Sequence, residues 1–149
     1  MSDVGEVREG AEEELRQVVL ERVAAVRAKD PKPLAARQAL DVVAFDVLPP
    51  LHSRGSEAVE EKTQAWFDSY AGKIDYEVRD LYITADGDVG FCSFVYHVSG
   101  TLVAGNEVDM WVRATLGCRR IDGEWLITHD HESVPFDPTS GQALVDLHP

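Results

Sequence analysis

Residues 107–121 read EVDMWVRATLGCRRI. Side chains of a strand alternate between its faces, so parity sorts them. Val108, Met110, Val112, Ala114, Leu116 and Cys118 make one wholly apolar row, while Asp109, Trp111, Arg113 and Thr115 make a mixed one. The segments on either side carry the same signature. VGFCSFVYHVSG (89–100) has Cys92, Phe94, Tyr96 and Val98 on its even row and Phe91, Ser93, Val95, His97 and Ser99 on its odd row. WLITHDHESV (125–134) has Trp125, Ile127, His129, His131 and Ser133 on its odd row. A further strand, IDYEVRDLYIT (74–84), comes first. The turn ADGD (85–88), a loop around Gly105-Asn106 and the turn Asp122-Gly123 join these runs, which predicts an antiparallel meander.

Upstream the pattern is helical. In AEEELRQVVLERVAAVRAK (11–29) Leu15, Val18, Val19, Arg22, Val23 and Val26 share one face. The acids Glu6, Glu9, Glu12, Glu13 and Glu14 read as a solvated helix start, favoured by the helix dipole. Arg27 and Lys29 sit at the other end, and Asp30-Pro31 stops the helix. Arg22 interrupts the apolar stripe. Either it meets a buried anion, because an unpaired buried charge is very costly, or it lies at the stripe's edge and reaches water. A short helix is expected over 32–40 and a short strand in VVAFDVLPP (42–50), cut off by its prolines. A third helix follows Gly55, with Ser56 as N-cap, Val59, Thr63, Trp66, Phe67 and Tyr70 on its inner face, and Gly72 as its stop.

The 149 residues, 44% of them hydrophobic, suit one globular domain over 1–149, with a core of about 11–137 and an irregular tail over 138–149. Helices followed by strands imply an α+β fold: three N-terminal helices packed on a strongly curved, mainly antiparallel sheet. The formal net charge of −13 disfavours nucleic acid and anionic membranes as partners. No apolar run approaches the ~20 residues of a membrane span, and the acidic N-terminus lacks a secretory core, so a cytoplasmic protein is expected. Cys92 and Cys118 are expected to be buried free thiols.

The mixed odd face carries acids, an arginine, serines and histidines among large apolar groups. That is the make-up of a small-molecule pocket, so the odd face is assigned to a cavity beneath the helices. The even face then needs another cover, and a homodimer through it is the expected partner contact. A single β-bulge would invert this assignment.

Taken together, ERVAAVRAKDPKPL (21–34), VVAFDVLPP, GSEAV (55–59), EVDMWVR (107–113) and GEWLITHDHESVPFD (123–137) resemble the nuclear transport factor 2-like superfamily, especially its SnoaL-like and ketosteroid-isomerase-like members. The resemblance spans roughly residues 11–137 and implies a cone-shaped α+β barrel around a pocket. It implies proton-transfer chemistry of isomerase, cyclase or lyase type on an apolar carbonyl compound. The alternative is a non-catalytic ligand-binding or dimeric assembly module of the same fold.

By the same resemblance Asp46 matches the general base and Asp109 matches a donor to the developing oxyanion. Arg22 stands where the family pattern has a tyrosine, so steroid isomerisation as such is not implied. Asp46 has a second reading as a turn-capping residue before Pro49-Pro50. His129 and His131, about 7 Å apart along one strand face, are read as acid, base or hydrogen-bond donors, with a strand-end pair as the plain alternative. A metal held by them with Asp46, Asp109 or His97 is the less favoured use, and no metal or other cofactor is expected. His97 and Arg113 join Arg22 as substrate-orienting groups, and Trp66, Trp111 and Trp125 are pocket wall.

Overall fold

In the computed structural model the backbone is described from residue 2 to residue 149 and the side chains from Gly10 onward. The elements run α1 (Ser2–Ala28), α2 (Pro31–Ala36), β1 (Gln38–Phe45), β2 (Ser53–Arg54), α3 (Ser56–Asp68), β3 (Asp75–Asp86), β4 (Val89–Thr101), β5 (Glu107–Ile121) and β6 (Glu124–Ser133). The strands form one curved open sheet in the order β2-β1-β6-β5-β4-β3, and the helices pack on it. The meander β3-β4-β5-β6 is antiparallel throughout, whereas β1 joins β6 in parallel.

Several local expectations shift. The second helix ends at Ala36 rather than near residue 40, because Gln38 already pairs with Ile127 of β6 and this tertiary pairing overrides the high helix propensity of residues 37–40. The first strand falls between the second and third helices, where the sequence places it, and the two-residue β2 joins it there. Asp30 caps α2, its carboxylate accepting from the Lys32 N–H at 3.1 Å. Gly55, not Ser56, is the N-cap of α3, and that helix stops at Asp68, before Gly72. Glu12, Glu13 and Glu14 are exposed on α1, while the side chains of Glu6 and Glu9 lie outside the described residues.

The larger correction concerns the sheet faces. Cys92, Phe94, Tyr96 and Val98 of β4 and Val112, Ala114, Leu116 and Cys118 of β5 are buried together with Leu15, Val18, Val19 and Val26 of α1 and Phe67 of α3. The even rows thus face the helices, and the odd rows form the outer face. Burying a side chain of this kind is worth about 1.5–3 kcal/mol, so the continuous apolar row goes where it can be covered completely. The chain's own helices provide that cover, so this face is not open to the second copy expected to sit on it. Cys92 and Cys118 are buried free thiols. Among the described residues no helix is long and apolar enough to cross a membrane.

A bulge in β6 settles the histidines. Cys118 pairs with Ile127, but Gly117 pairs with His129, so Thr128 is the extra residue and parity inverts beyond it. Trp125 and Ile127 point inward before the bulge; Asp130 and Glu132 point inward after it, and His129 and His131 point out.

Candidate active site

Between the helices and the inner sheet face lies a cavity of about 720 Å³. Its walls are mostly apolar, with Leu34, Val59, Trp66, Val108 and Met110 among them. Its polar groups come from separate elements: Arg22 from α1, Lys62 from α3, Tyr76 from β3, Tyr96 from β4, Asp130 and Glu132 from β6, and Asp46 from the loop after β1.

Leu15, Val18, Val19 and Val26 lock α1 onto the sheet, and Arg22 on the same face enters the cavity with only 11% of its side chain exposed. Its Nη2 lies 3.0 Å from Asp130 Oδ2 and 2.9 Å from Glu132 Oε2. The arginine in the apolar stripe therefore meets buried anions and does not snorkel. Burial opposes its charge, but Asp130 and Glu132 outweigh that and raise its pKa, so it stays a guanidinium. The Tyr96 hydroxyl donates to Glu132 Oε1 at 2.6 Å, and the Tyr76 ring stacks on Tyr96 with centroids 4.6 Å apart. Burial and the neighbouring Asp130 push the Glu132 carboxyl up to about 7, against the pull of Arg22. Burial raises Tyr76, and burial with the Glu132 charge raises Tyr96, so both remain phenols that can donate.

Asp46 stands at the cavity wall. Its Oδ1 accepts from the Val47 N–H at 2.8 Å, and its Oδ2 lies 3.3 Å from Lys62 Nζ. Burial and the charge of Glu132 raise its pKa, against the opposing effect of Lys62. Asp46 thus caps its own turn, as one sequence reading has it, and it also faces the cavity. Two carboxylic acids with raised pKa values and two phenol donors around one apolar chamber can accept, hold and return a proton.

Of the residues singled out in the sequence, Arg22, Asp46 and Trp66 line this cavity. Trp125 is buried in the core, where the Arg120 guanidinium sits 5.1 Å from its ring centroid. The others lie on the outer face. Asp109 Oδ1 is 2.6 Å from His97 Nε2, and Trp111 lies between the His97 ring at 5.0 Å and the Arg79 guanidinium at 5.2 Å. The Arg113 Nε–H donates to Ser133 Oγ at 3.2 Å. His129 and His131 meet the Phe45 ring edge-on at 4.8 and 5.5 Å. His131 also borders a surface pocket of about 450 Å³ with His52, which shares Asp46 and Glu132 with the inner cavity as a common wall. Asp109, Arg113, His97, Trp111, His129 and His131 are thus not brought to the cavity, because the face they occupy is the outward one. Among the described residues no group of three ligating side chains gathers to hold a metal ion.

Sequence reading missed Asp130, Glu132, Lys62, Tyr76 and Tyr96. Two signals pointed to the acids. Gly117 inside a strand marks a bulge, and Arg22 in an apolar stripe demands a buried anion.

A SnoaL-like domain model matches residues 15–137. A nuclear transport factor 2-like protein of unknown function from Pseudomonas putida KT2440 superposes with a TM-score of 0.87 at 31% identity, covering 95% of this chain and 98% of its own. A nuclear transport factor 2-like superfamily protein from Salmonella enterica gives 0.78 at 16% identity, covering 91% and 99%. A Streptomyces avermitilis protein of the same family, provisionally named a dehydratase, gives 0.71 at 17% identity, covering 81% and 93%. The last two likenesses show the fold alone. No curated protein matches the chain in sequence.

Proposed function

The chain belongs to the SnoaL-like domain family of the nuclear transport factor 2-like superfamily, and from that premise we propose that its cavity carries out acid–base catalysis on a small, largely apolar carbonyl compound. The observation that carries this reading is that Asp46 and Glu132, both with raised pKa values, face one apolar chamber of about 720 Å³. Asp46 removes a proton from the carbon next to the carbonyl. Glu132, poised near neutrality and hydrogen-bonded to Tyr96, holds or returns a proton elsewhere on the substrate. Arg22 fixes the geometry of the acids and, being committed to both Asp130 and Glu132, is a positioning residue. The reaction is of isomerase, cyclase or lyase type. It uses Asp46 as the family resemblance implies, but the second acid is Glu132 in place of Asp109.

A proton-transfer site exchanges substrate protons with solvent even when net turnover is invisible. Proton NMR of a panel of cyclic and polycyclic ketones in deuterium oxide should show accelerated loss of the signal next to the carbonyl for at least one compound. Asp46→Asn should slow that exchange by about 10²-fold or more. A compound that binds with no exchange above background would favour the binding-module reading instead.

A further inference from the structure

Chemistry next to a carbonyl leaves negative charge on the carbonyl oxygen, and Arg22 is already bound to two carboxylates. Lys62 is differently placed. It reaches the cavity from α3 with 19% of its side chain exposed, its Nζ donating to the Leu48 carbonyl at 3.0 Å and lying 3.3 Å from Asp46 Oδ2. An ammonium has three donors. Leu48 takes one and the Asp46 carboxylate claims a second, which leaves one N–H for a ligand.

We propose that Lys62 is the group that receives the anionic oxygen of the ligand, a role that in catalysis rests on the acid–base reading above. The step balances. The substrate C–H bond breaks and an O–H bond forms on Asp46; the electron pair of the C–H bond moves into the enolate and places its charge on oxygen. Asp46 becomes neutral in the same event, so Lys62 loses one counter-ion as it gains another. The total charge around the ammonium does not change, and only its direction does. Charge that develops beside a fixed cation at the wall of an apolar chamber is stabilised more than in water. Arg22, lying against both Asp130 and Glu132, offsets one of their two negative charges.

Binding of 2-naphthol tests the assignment without requiring turnover, since its acid and anion have distinct absorption spectra. In wild-type protein the Asp46 carboxylate neutralises Lys62, and naphthol should bind mainly as the neutral phenol. In Asp46→Asn the ammonium is uncompensated, and the anion should dominate the bound form at pH 8. Asp46→Asn/Lys62→Met should return the bound ligand to the phenol and weaken anion binding about tenfold or more, while Asp46→Asn/Lys62→Arg should retain the anion. If the Met variant does not fold, Lys62→Gln gives the same reading. Equal anion binding with and without the lysine, or no naphthol binding by any variant, overturns the proposal. Exchange of ketone protons by wild type together with lysine-independent naphtholate binding would remove Lys62 and leave the acid–base reading intact. Lysine-dependent naphtholate binding without any ketone exchange would do the reverse.

Discussion

Glu132 is the residue on which the site turns. Its carboxyl titrates near 7, against an ordinary value of 4.5, because burial and Asp130 disfavour its charge more than Arg22 favours it. A folded-state pKa raised above the unfolded one contributes stability that is complete below about 4.5 and lost as the pH rises through about 7. Replacing Glu132 by Gln removes that dependence. Urea denaturation at pH 5 and pH 7.5 should therefore show Glu132→Gln gaining about 2 kcal/mol relative to wild type between the two pH values. A parallel change in both proteins would mean that Glu132 has an ordinary pKa in the folded state. From the sequence Arg22 was legible as a charge interrupting an apolar stripe, either paired with a buried anion or reaching water, because a helical stripe is a local, short-period pattern. Which anion answered it was not, because Asp130 and Glu132 lie more than a hundred residues away and reach Arg22 only through the register of the last strand.

Registers belong to the elements. β4 and β5 pair without a slip and keep one alternation along their shared length, and α1 follows its stripe. What alternation alone does not specify is which of two faces meets the helices. One inserted residue, Thr128, inverts β6 halfway along, so the same strand inserts Trp125 and Ile127 into the core and then Asp130 and Glu132 into the cavity. A second shift, between Arg79 and Tyr82, does the same in β3. Gly100 in β4 marks another close approach, since a Cβ there would lie 2.8 Å from the Tyr70 ring, itself a wall of the cavity. Gly100→Ala should cost about 1–3 kcal/mol in chemical denaturation, since the aromatic ring is boxed in by Trp66 and must shift to admit the methyl group. Wild-type stability in this variant would show that Tyr70 has room to move and that the cavity wall is soft on that side.

At the scale of the whole molecule, the domain match ends at residue 137, yet Ala143 and Val145 line the cavity. The tail folds back on itself through Asp137 N–H to Gln142 O, Gly141 N–H to Asp137 O and Leu144 N–H to Pro135 O, and its cavity contacts are apolar. A chain ending at Asp137 should therefore keep its cooperative unfolding, with stability within about 1 kcal/mol of wild type. It should bind an apolar fluorescent dye such as 1-anilinonaphthalene-8-sulfonate faster than the full chain in stopped-flow mixing, because one wall of the chamber is gone. Unfolding of the truncated chain would show that the tail belongs to the core. The sequence by itself determined the α+β class, the helical stripe of α1 and the long alternating strands with their wholly apolar row, since each follows from periodicities that a chain carries locally. Only the tertiary structure decided that the even face looks inward, that Asp130 and Glu132 replace His129 and His131 at the chamber, and that Lys62 stands beside Asp46. Those facts depend on where strands slip past one another and how helices settle over them, and a one-residue bulge, costing little locally, moves every side chain beyond it to the opposite face.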